Sequence, residues 1–284
     1  MAESYHSAQI VKTATGKQYH VGAGPGDVAR RILLVGDPAR AEKVAKRFDR
    51  VSVERRNREY VTITGDYQGE PLTVTATGIG CDNTEIAFVE LSQCVDDPTF
   101  IRVGSCGALD PAIALGDLVI SSGAVKLEST SSYFVPEGYP SVAHWEVVAA
   151  LVEATADLAG RRAHVGITAT ASGFYGAQGR QVPGFPPRDP ELPTRLATMG
   201  VKNLEMEASL LFTLGSLRGL RTGAVCAVYA SRTADTFVDS DVKDRAEAAC
   251  IDAGLRAFSV LSAMDRARAA AGAPRWRPGL GVSR

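Results

Sequence analysis

The sequence predicts an α/β fold built on one central sheet, and three observations predict it. Short β-branched apolar runs recur along the chain as buried-strand candidates. Between them lie segments whose apolar residues fall three or four apart, the spacing of one helix face. Strand and helix therefore alternate, and no internal repeat or linker divides the chain, so a single domain over residues 1–284 is expected, ordered from about 19 to 270.

In chain order, strands are expected at Ile32 to Val35, Val61 to Ile63, Leu72 to Ala76, Phe100 to Val103, Leu118 to Ile120 and Ala224 to Tyr229. Helical patterns run from Arg40 to Phe48, Asn83 to Cys94, His144 to Ala159 and Met206 to Arg218. Asp241 to about Ala270 reads as one long helix, with Ala246, Cys250, Gly254, Ala257 and Val260 forming a stripe that packs on the sheet. The following GAPRWRPGLGVSR has no periodicity and reads as a solvated, flexible tail over 271–284. Gln181 to Pro193 holds five prolines, which exclude a regular helix or central strand; it reads as a long loop, a class that often serves as a lid or binding loop.

Composition excludes several functions. Lys and Arg number 31 against 32 Asp and Glu, a formal net charge of -1, so no global field draws the protein to nucleic acid or an anionic membrane, and any anion must be held locally. The cysteines form no CxxC pair and the histidines no ligand spacing, the pattern of a reduced cytoplasmic protein without structural zinc. The first residues do not resemble a signal peptide, and no window approaches the ~18 apolar residues of a membrane span.

Three elements carry chemistry. In ILLVGDPARAEKVAKRF a strand candidate runs into Gly36, and Asp37 and Pro38 open a helix carrying Arg40, so backbone N–H groups and a guanidinium can converge on one anion. Taken alone, the same residues make a tight turn with a surface arginine. In FIRVGSCGAL, Arg102 lies inside an apolar strand and must find an acceptor, which a structural carboxylate supplies as well as a phosphate does. Ser105 can donate to an anion's oxygen, and Gly104 and Gly107 allow close approach to the backbone. In NLEMEAS, Glu205 and Glu207 share a face if the backbone is extended and do not if it is helical. A carboxylate suits sugar hydroxyls, and the Met206 thioether offers the ring an apolar floor.

The ordered set YHVG, GDPAR, NREY, TGIG, RVGSCGA, GFYGAQGR, NLEMEAS and SRT, spread over Tyr19 to Ala263, resembles the nucleoside phosphorylase-I family, and within it the members that cleave uridine. The resemblance implies a central mixed, barrel-like sheet surrounded by helices, and dimers assembled into a homo-hexamer. It implies that Gly36, Arg40, Arg102 and Ser105 surround phosphate, with Arg58 donated across the dimer interface. Met206 and Glu207 would hold the ribose, together with His20 of the neighbouring subunit. Glu59, with Ile79 and Asn83, matches positions that bind a monovalent cation, potassium, between subunits; Asn83 stands where a serine is usual.

Base choice rests on GFYGAQGR, where Phe174 can stack on a ring while Gln178 and Arg180 offer the mixed donor and acceptor edge that uracil needs. Cys106 and Gly107 would border the base. The Ser105–Cys106 pair has the form of hexameric purine nucleoside phosphorylases, whereas Arg232 of SRT replaces the aspartate of those enzymes and favours uracil. The implied reaction uses inorganic phosphate as co-substrate and requires no other cofactor. Arg102, Gln178, Arg180 and Glu207 are the expected catalytic group. The rivals are a purine nucleoside phosphorylase, a phosphate-independent nucleoside hydrolase and a non-catalytic nucleoside-binding protein.

Overall fold

A computed structural model of the chain describes residue 5, residues 7–157 and residues 162–282. The order is β1 (Arg31–Val35), α1 (Pro38–Ala45), β2 (Arg50–Asn57), β3 (Tyr60–Tyr67), β4 (Glu70–Ala76), α2 (Cys81–Leu91), β5 (Thr99–Ala108), β6 (Leu118–Leu127), α3 (Trp145–Ala154), β7 (Ala163–Ala171), α4 (Leu192–Thr198), β8 (Asn203–Glu205), α5 (Ala208–Arg218), β9 (Thr222–Ser231), β10 (Thr236–Phe237) and α6 (Ser240–Ala270). The strands form one sheet in the order β10-β9-β6-β7-β8-β5-β1-β4-β3-β2, and β9 also pairs with β5. That extra pairing closes β5, β9, β6, β7 and β8 into a mixed barrel, the barrel-like sheet expected from the sequence. The remaining strands extend it as a wing from β1.

β5 joins the two parts. Its first half is bonded to β1 on one side and β9 on the other, and its last residues exchange β1 for β8, with Gly107 opposite Leu204. Side chains alternate across a strand. Ile101 and Val103 therefore join a core shared with α1, α3 and α6, while Cys106 and Ala108 pack inside the barrel with Cys226 and Val228. α6 can approach the sheet closely because a Cβ on Gly254 would stand 2.5 Å from Val103 Cγ2 and 3.0 Å from Leu33 Cδ2.

All six expected strands and the long C-terminal helix are present. Four strands escape the sequence pattern: β2, β7, β8 and the two-residue β10. β2 is an edge strand whose RVSVERRN is mostly exposed or half-buried, and charge on an edge masks the apolar alternation. β7 is written in Ala, Gly and Thr, and β8 has only three residues. α3 is shorter than its helical pattern; the imidazole of His144 caps it by accepting from Glu146 N at 3.3 Å, and residues 158–159 lie outside the described residues. The proline-rich loop is irregular until Leu192 and Pro193, which open α4.

The C-terminal segment departs from the solvated tail that its composition suggests. Trp276 is 7% exposed, its ring stacks 5.8 Å from that of Trp145, and its indole N–H donates to Gly281 O at 3.1 Å. A single tryptophan buries enough apolar area to dock a segment with no periodicity. Among the described residues, no helix is long and apolar enough to cross a membrane.

Candidate active site

A cavity of about 520 Å³ opens at the carboxyl ends of β1, β4, β5 and β9, where the turns after parallel strands leave backbone groups free for a ligand. It is lined by Gly36, Arg40, Ile79, Arg102, Ser105, Cys106, Gly107, Phe174, Gln178, Arg180, Met206 and Glu207, residues that the sequence analysis singled out from five separate segments.

At one end, Gly36 follows β1 and Asp37 caps α1, its carboxylate accepting from Ala39 N at 2.9 Å, with Pro38 in the first turn. Arg40 is thereby placed on the first turn and points into the protein. Its Nε donates to Glu247 Oε1 at 2.7 Å, one terminal nitrogen to Val103 O at 3.2 Å, and Nη2 to the Tyr229 hydroxyl at 3.5 Å. Burial alone would lower the Arg40 pKa, but the bond to Glu247 and the neighbouring acidic groups more than offset it and keep the guanidinium charged. Lys43 reaches the other oxygen of Glu247.

Arg102 approaches from the barrel side. Its side chain lies along β5 over Gly104, where a Cβ would stand 2.9 Å from Nη2 and 3.0 Å from Cζ. Nε donates to Glu205 Oε2 at 3.1 Å, and Nη2 pairs with Glu207. The open question of NLEMEAS is thus resolved: Glu205 ends β8, Glu207 precedes the first turn of α5 with φ -141, and both carboxylates turn to one guanidinium. Glu205 also accepts from the backbone N–H groups of Glu207 and Ala208 and from the Thr170 hydroxyl. Glu207 Oε1 accepts from Gly80 N at 2.7 Å, at the start of α2. Burial pushes the Glu207 carboxyl above its ordinary range, against the pull of Arg102, and the nearby Glu205 charge adds to the rise.

The other end is cationic. Arg180 lies with Cζ 3.7 Å from the centroid of the Phe174 ring and donates to Phe174 O at 2.5 Å and Gln178 Oε1 at 2.6 Å. Arg232 crosses Gly107, where a Cβ would meet its Cγ at 3.2 Å, and donates to Gln178 O at 3.2 Å. Its Nη1 is buried without a partner. Among the described residues, no carboxylate bonds either guanidinium. Burial, followed by repulsion from Arg232, lowers the Arg180 pKa to about 10, and burial likewise lowers that of Arg232.

Five sequence-predicted residues do not line this cavity. Arg232 sits just behind it. Arg58, at φ 52, donates to the Tyr19 hydroxyl at 3.0 Å and lies over its ring, and His20 Nδ1 is 2.7 Å from Glu90 Oε1. Glu59 and Asn83 flank Gly78: a Cβ there would stand 3.5 Å from Glu59 Cγ and 2.6 Å from Asn83 Nδ2.

Sequence reasoning missed Tyr229, Phe237 and Glu247. Glu247 had a readable signal, because it lies three and four residues before Cys250 and Ile251 on the buried face of α6, and a carboxylate there must meet a cation. Phe237, 64% exposed at the cavity rim, and Tyr229, at the end of an apolar strand, carried none.

Known proteins resemble this chain over most of its length. The chain is 44% identical over 284 residues, 99% of each chain, to a protein named uridine phosphorylase from Thermococcus kodakarensis. It is 36% identical over 228 residues, 80% of this chain and 89% of the relative, to a guanosine phosphorylase from Halorubrum lacusprofundi. The crystal structure of a uridine phosphorylase from Vibrio fischeri superposes with a TM-score of 0.77 at 26% identity, covering 87% of this chain and 98% of that one. The model of the phosphorylase superfamily matches residues 30–264, and with ten strands, barrel and cavity in place, the chain belongs to that superfamily.

Proposed function

We propose that the protein is a uridine phosphorylase, a pentosyltransferase that converts uridine and inorganic phosphate reversibly into uracil and ribose 1-phosphate. The observation that carries the reading is the make-up of the cavity: Arg40, Arg102 and Ser105 for an anion, Met206 and Glu207 for a sugar, and Gln178 with the guanidinium of Arg180, backed by Arg232, for a base. Phosphate held by Arg40, Arg102, Ser105 and the backbone at Gly36 is placed to attack the anomeric carbon. The new C–O bond forms as the C–N bond to the base breaks, and the bonding pair leaves on uracil. Positive charge developing on the sugar is stabilised by phosphate and by Glu207, and negative charge on the base by Arg180, Gln178 and Arg232. Among the described residues neither base-end guanidinium is hydrogen-bonded to a carboxylate, and Asp235 acts on Arg232 only through its field, so their donors remain for the leaving group. Holding both substrates in one cavity supplies the entropic part of the acceleration.

Arg58 and His20 lie together in a Tyr19 cluster outside the cavity, which supports their serving the site of a neighbouring subunit in a hexameric assembly. Glu59, Asn83 and the backbone of Ile79 would hold a monovalent cation such as potassium beside that contact. Five buried free cysteines suit a reducing cytoplasm.

A purine-cleaving reading is supported by the Ser105–Cys106 pair and by the guanosine phosphorylase relative. The cation at position 232 favours uracil over it. A nucleoside panel incubated with and without phosphate, with detection of free base and sugar phosphate, decides: uracil and ribose 1-phosphate formed only with phosphate is the expected result. Cleavage without phosphate, or faster release of a purine base, would overturn it.

A further inference from the structure

We infer that the Tyr229 hydroxyl is a further ligand of the inorganic phosphate, a donor to which none of the sequence motifs points; the inference rests on the phosphorolytic reading above. Tyr229 is the penultimate residue but one of β9, immediately before the Ala230 and Gly107 pairing where the β5–β9 register shifts. Its ring shares a core with Val225, Ala227, Ala246 and Cys250, and so lies on the face of β9 turned to α6, opposite the barrel interior that Cys226 and Val228 face. Tyr229 and Arg102 thus converge on the cavity from the two faces of the β5–β9 pair, and Tyr229 and Arg40 from the same face.

The hydroxyl has half of its bonding capacity in use. It accepts from Arg40 Nη2 at 3.5 Å, and among the described residues no acceptor takes its own proton. A phenol O–H in a buried site ordinarily finds a partner. The residue is 8% exposed and lines the cavity, with its hydroxyl beside the phosphate arginine, so a ligand bound to Arg40 is the acceptor within its reach. Phosphate brings acceptor oxygens to that place, and a hydrogen bond to an anion is stronger than a neutral one. Burial pushes the phenol up to about 12, which keeps it a donor at neutral pH. The ring is held by its core packing, so the donor is in place before phosphate arrives.

The test is titration of inorganic phosphate alone, followed calorimetrically, together with phosphate-saturation kinetics, on the full chain and on Tyr229→Phe and Arg40→Ala. Tyr229→Phe keeps the ring and its packing. The expected result is measurable phosphate binding by the unaltered protein, its loss in Arg40→Ala, and a rise of about tenfold in the Kd and KM for phosphate in Tyr229→Phe, with the KM for uridine changed by less than about twofold. Phosphate affinity unchanged in Tyr229→Phe, while Arg40→Ala loses it, would overturn the role of the hydroxyl and leave the phosphorolytic reading intact. Equal losses for phosphate and uridine would overturn a phosphate-specific role. No phosphate binding by the unaltered protein would overturn the phosphorolytic reading itself, and this inference with it.

Discussion

Glu247 accepts the Nε proton of Arg40 at 2.7 Å, across a separation of 207 residues. The bond ties the C-terminal helix to the first turn of α1, and it fixes the one edge of the guanidinium that faces away from the cavity. The other nitrogens are left for Val103 O, Tyr229 and a ligand. Gly254, seven residues further along α6, makes the contact geometrically accessible by letting the helix rest on Val103 and Leu33.

Glu247→Gln keeps a hydrogen-bond acceptor but removes the charge that holds Arg40 and Lys43. The KM for phosphate is expected to rise about tenfold, the equivalent of ~1.4 kcal/mol in a charged hydrogen bond, with a smaller effect on uridine. Glu247→Ala leaves Arg40 buried and unpaired, and a stability loss of about 3–5 kcal/mol in denaturant unfolding is expected. Unaltered phosphate kinetics in Glu247→Gln would show that the clamp has no part in phosphate binding.

Gly104→Ala places a methyl group 2.9 Å from Arg102 Nη2 and 3.0 Å from Cys226 Sγ. Nη2 must give way and with it the pair with Glu207, and a displacement of about 1 Å at a reacting group costs on the order of a hundredfold in rate. The measurement is kcat/KM for uridine phosphorolysis beside the melting temperature. A variant that loses stability but keeps its rate would argue that Arg102 does not depend on the bare strand beneath it.

Arg180→Ala removes a cation from the base end and frees Gln178. Loss of a group that stabilises developing charge typically lowers kcat by about 10²–10³-fold. The loss is expected with uridine and to be smaller with any purine nucleoside that the enzyme turns over, so the ratio of the two rates is the quantity to measure. An unchanged ratio would remove Arg180 from base selection.

Asp117 sets an acid limit on stability. Burial pushes its carboxyl up, but the bond to His164 at 2.9 Å and the N–H groups of Ala114 and Arg162 outweigh burial, so its pKa lies below the ordinary 3.8. A folded-state pKa below the unfolded one contributes stability that is fully present above 3.8 and is lost as pH falls through the folded value. Melting temperatures between pH 7 and pH 2.5 should therefore fall more steeply for the unaltered protein than for Asp117→Asn, which starts lower. Parallel curves would mean that Asp117 titrates alike in both states.

Much of the fold was legible because its signals are local. β1, β4, β5 and β9 contain short apolar runs, α1 opens with Asp37 and Pro38, and α6 carries a buried stripe at helical spacing, so neighbours in sequence suffice to specify them. The motifs likewise marked twelve cavity-lining residues, because their order along the chain resembles one family, whereas each motif alone reads as a turn or a structural ion pair.

By itself, then, the sequence determined the alternation of strand and helix, the turns that face the cavity and the residue types the reaction needs. Only the tertiary structure decided that Glu205 and Glu207 turn to the same guanidinium, that Glu247 and Tyr229 frame Arg40, that Arg180 and Arg232 both donate to Gln178, and that Trp276 docks the C-terminal segment. The reason is physical. Backbone preference and capping act over a few residues, whereas the partner of a buried charge is chosen by barrel closure and helix packing, which bring together residues that nothing in their own neighbourhoods connects.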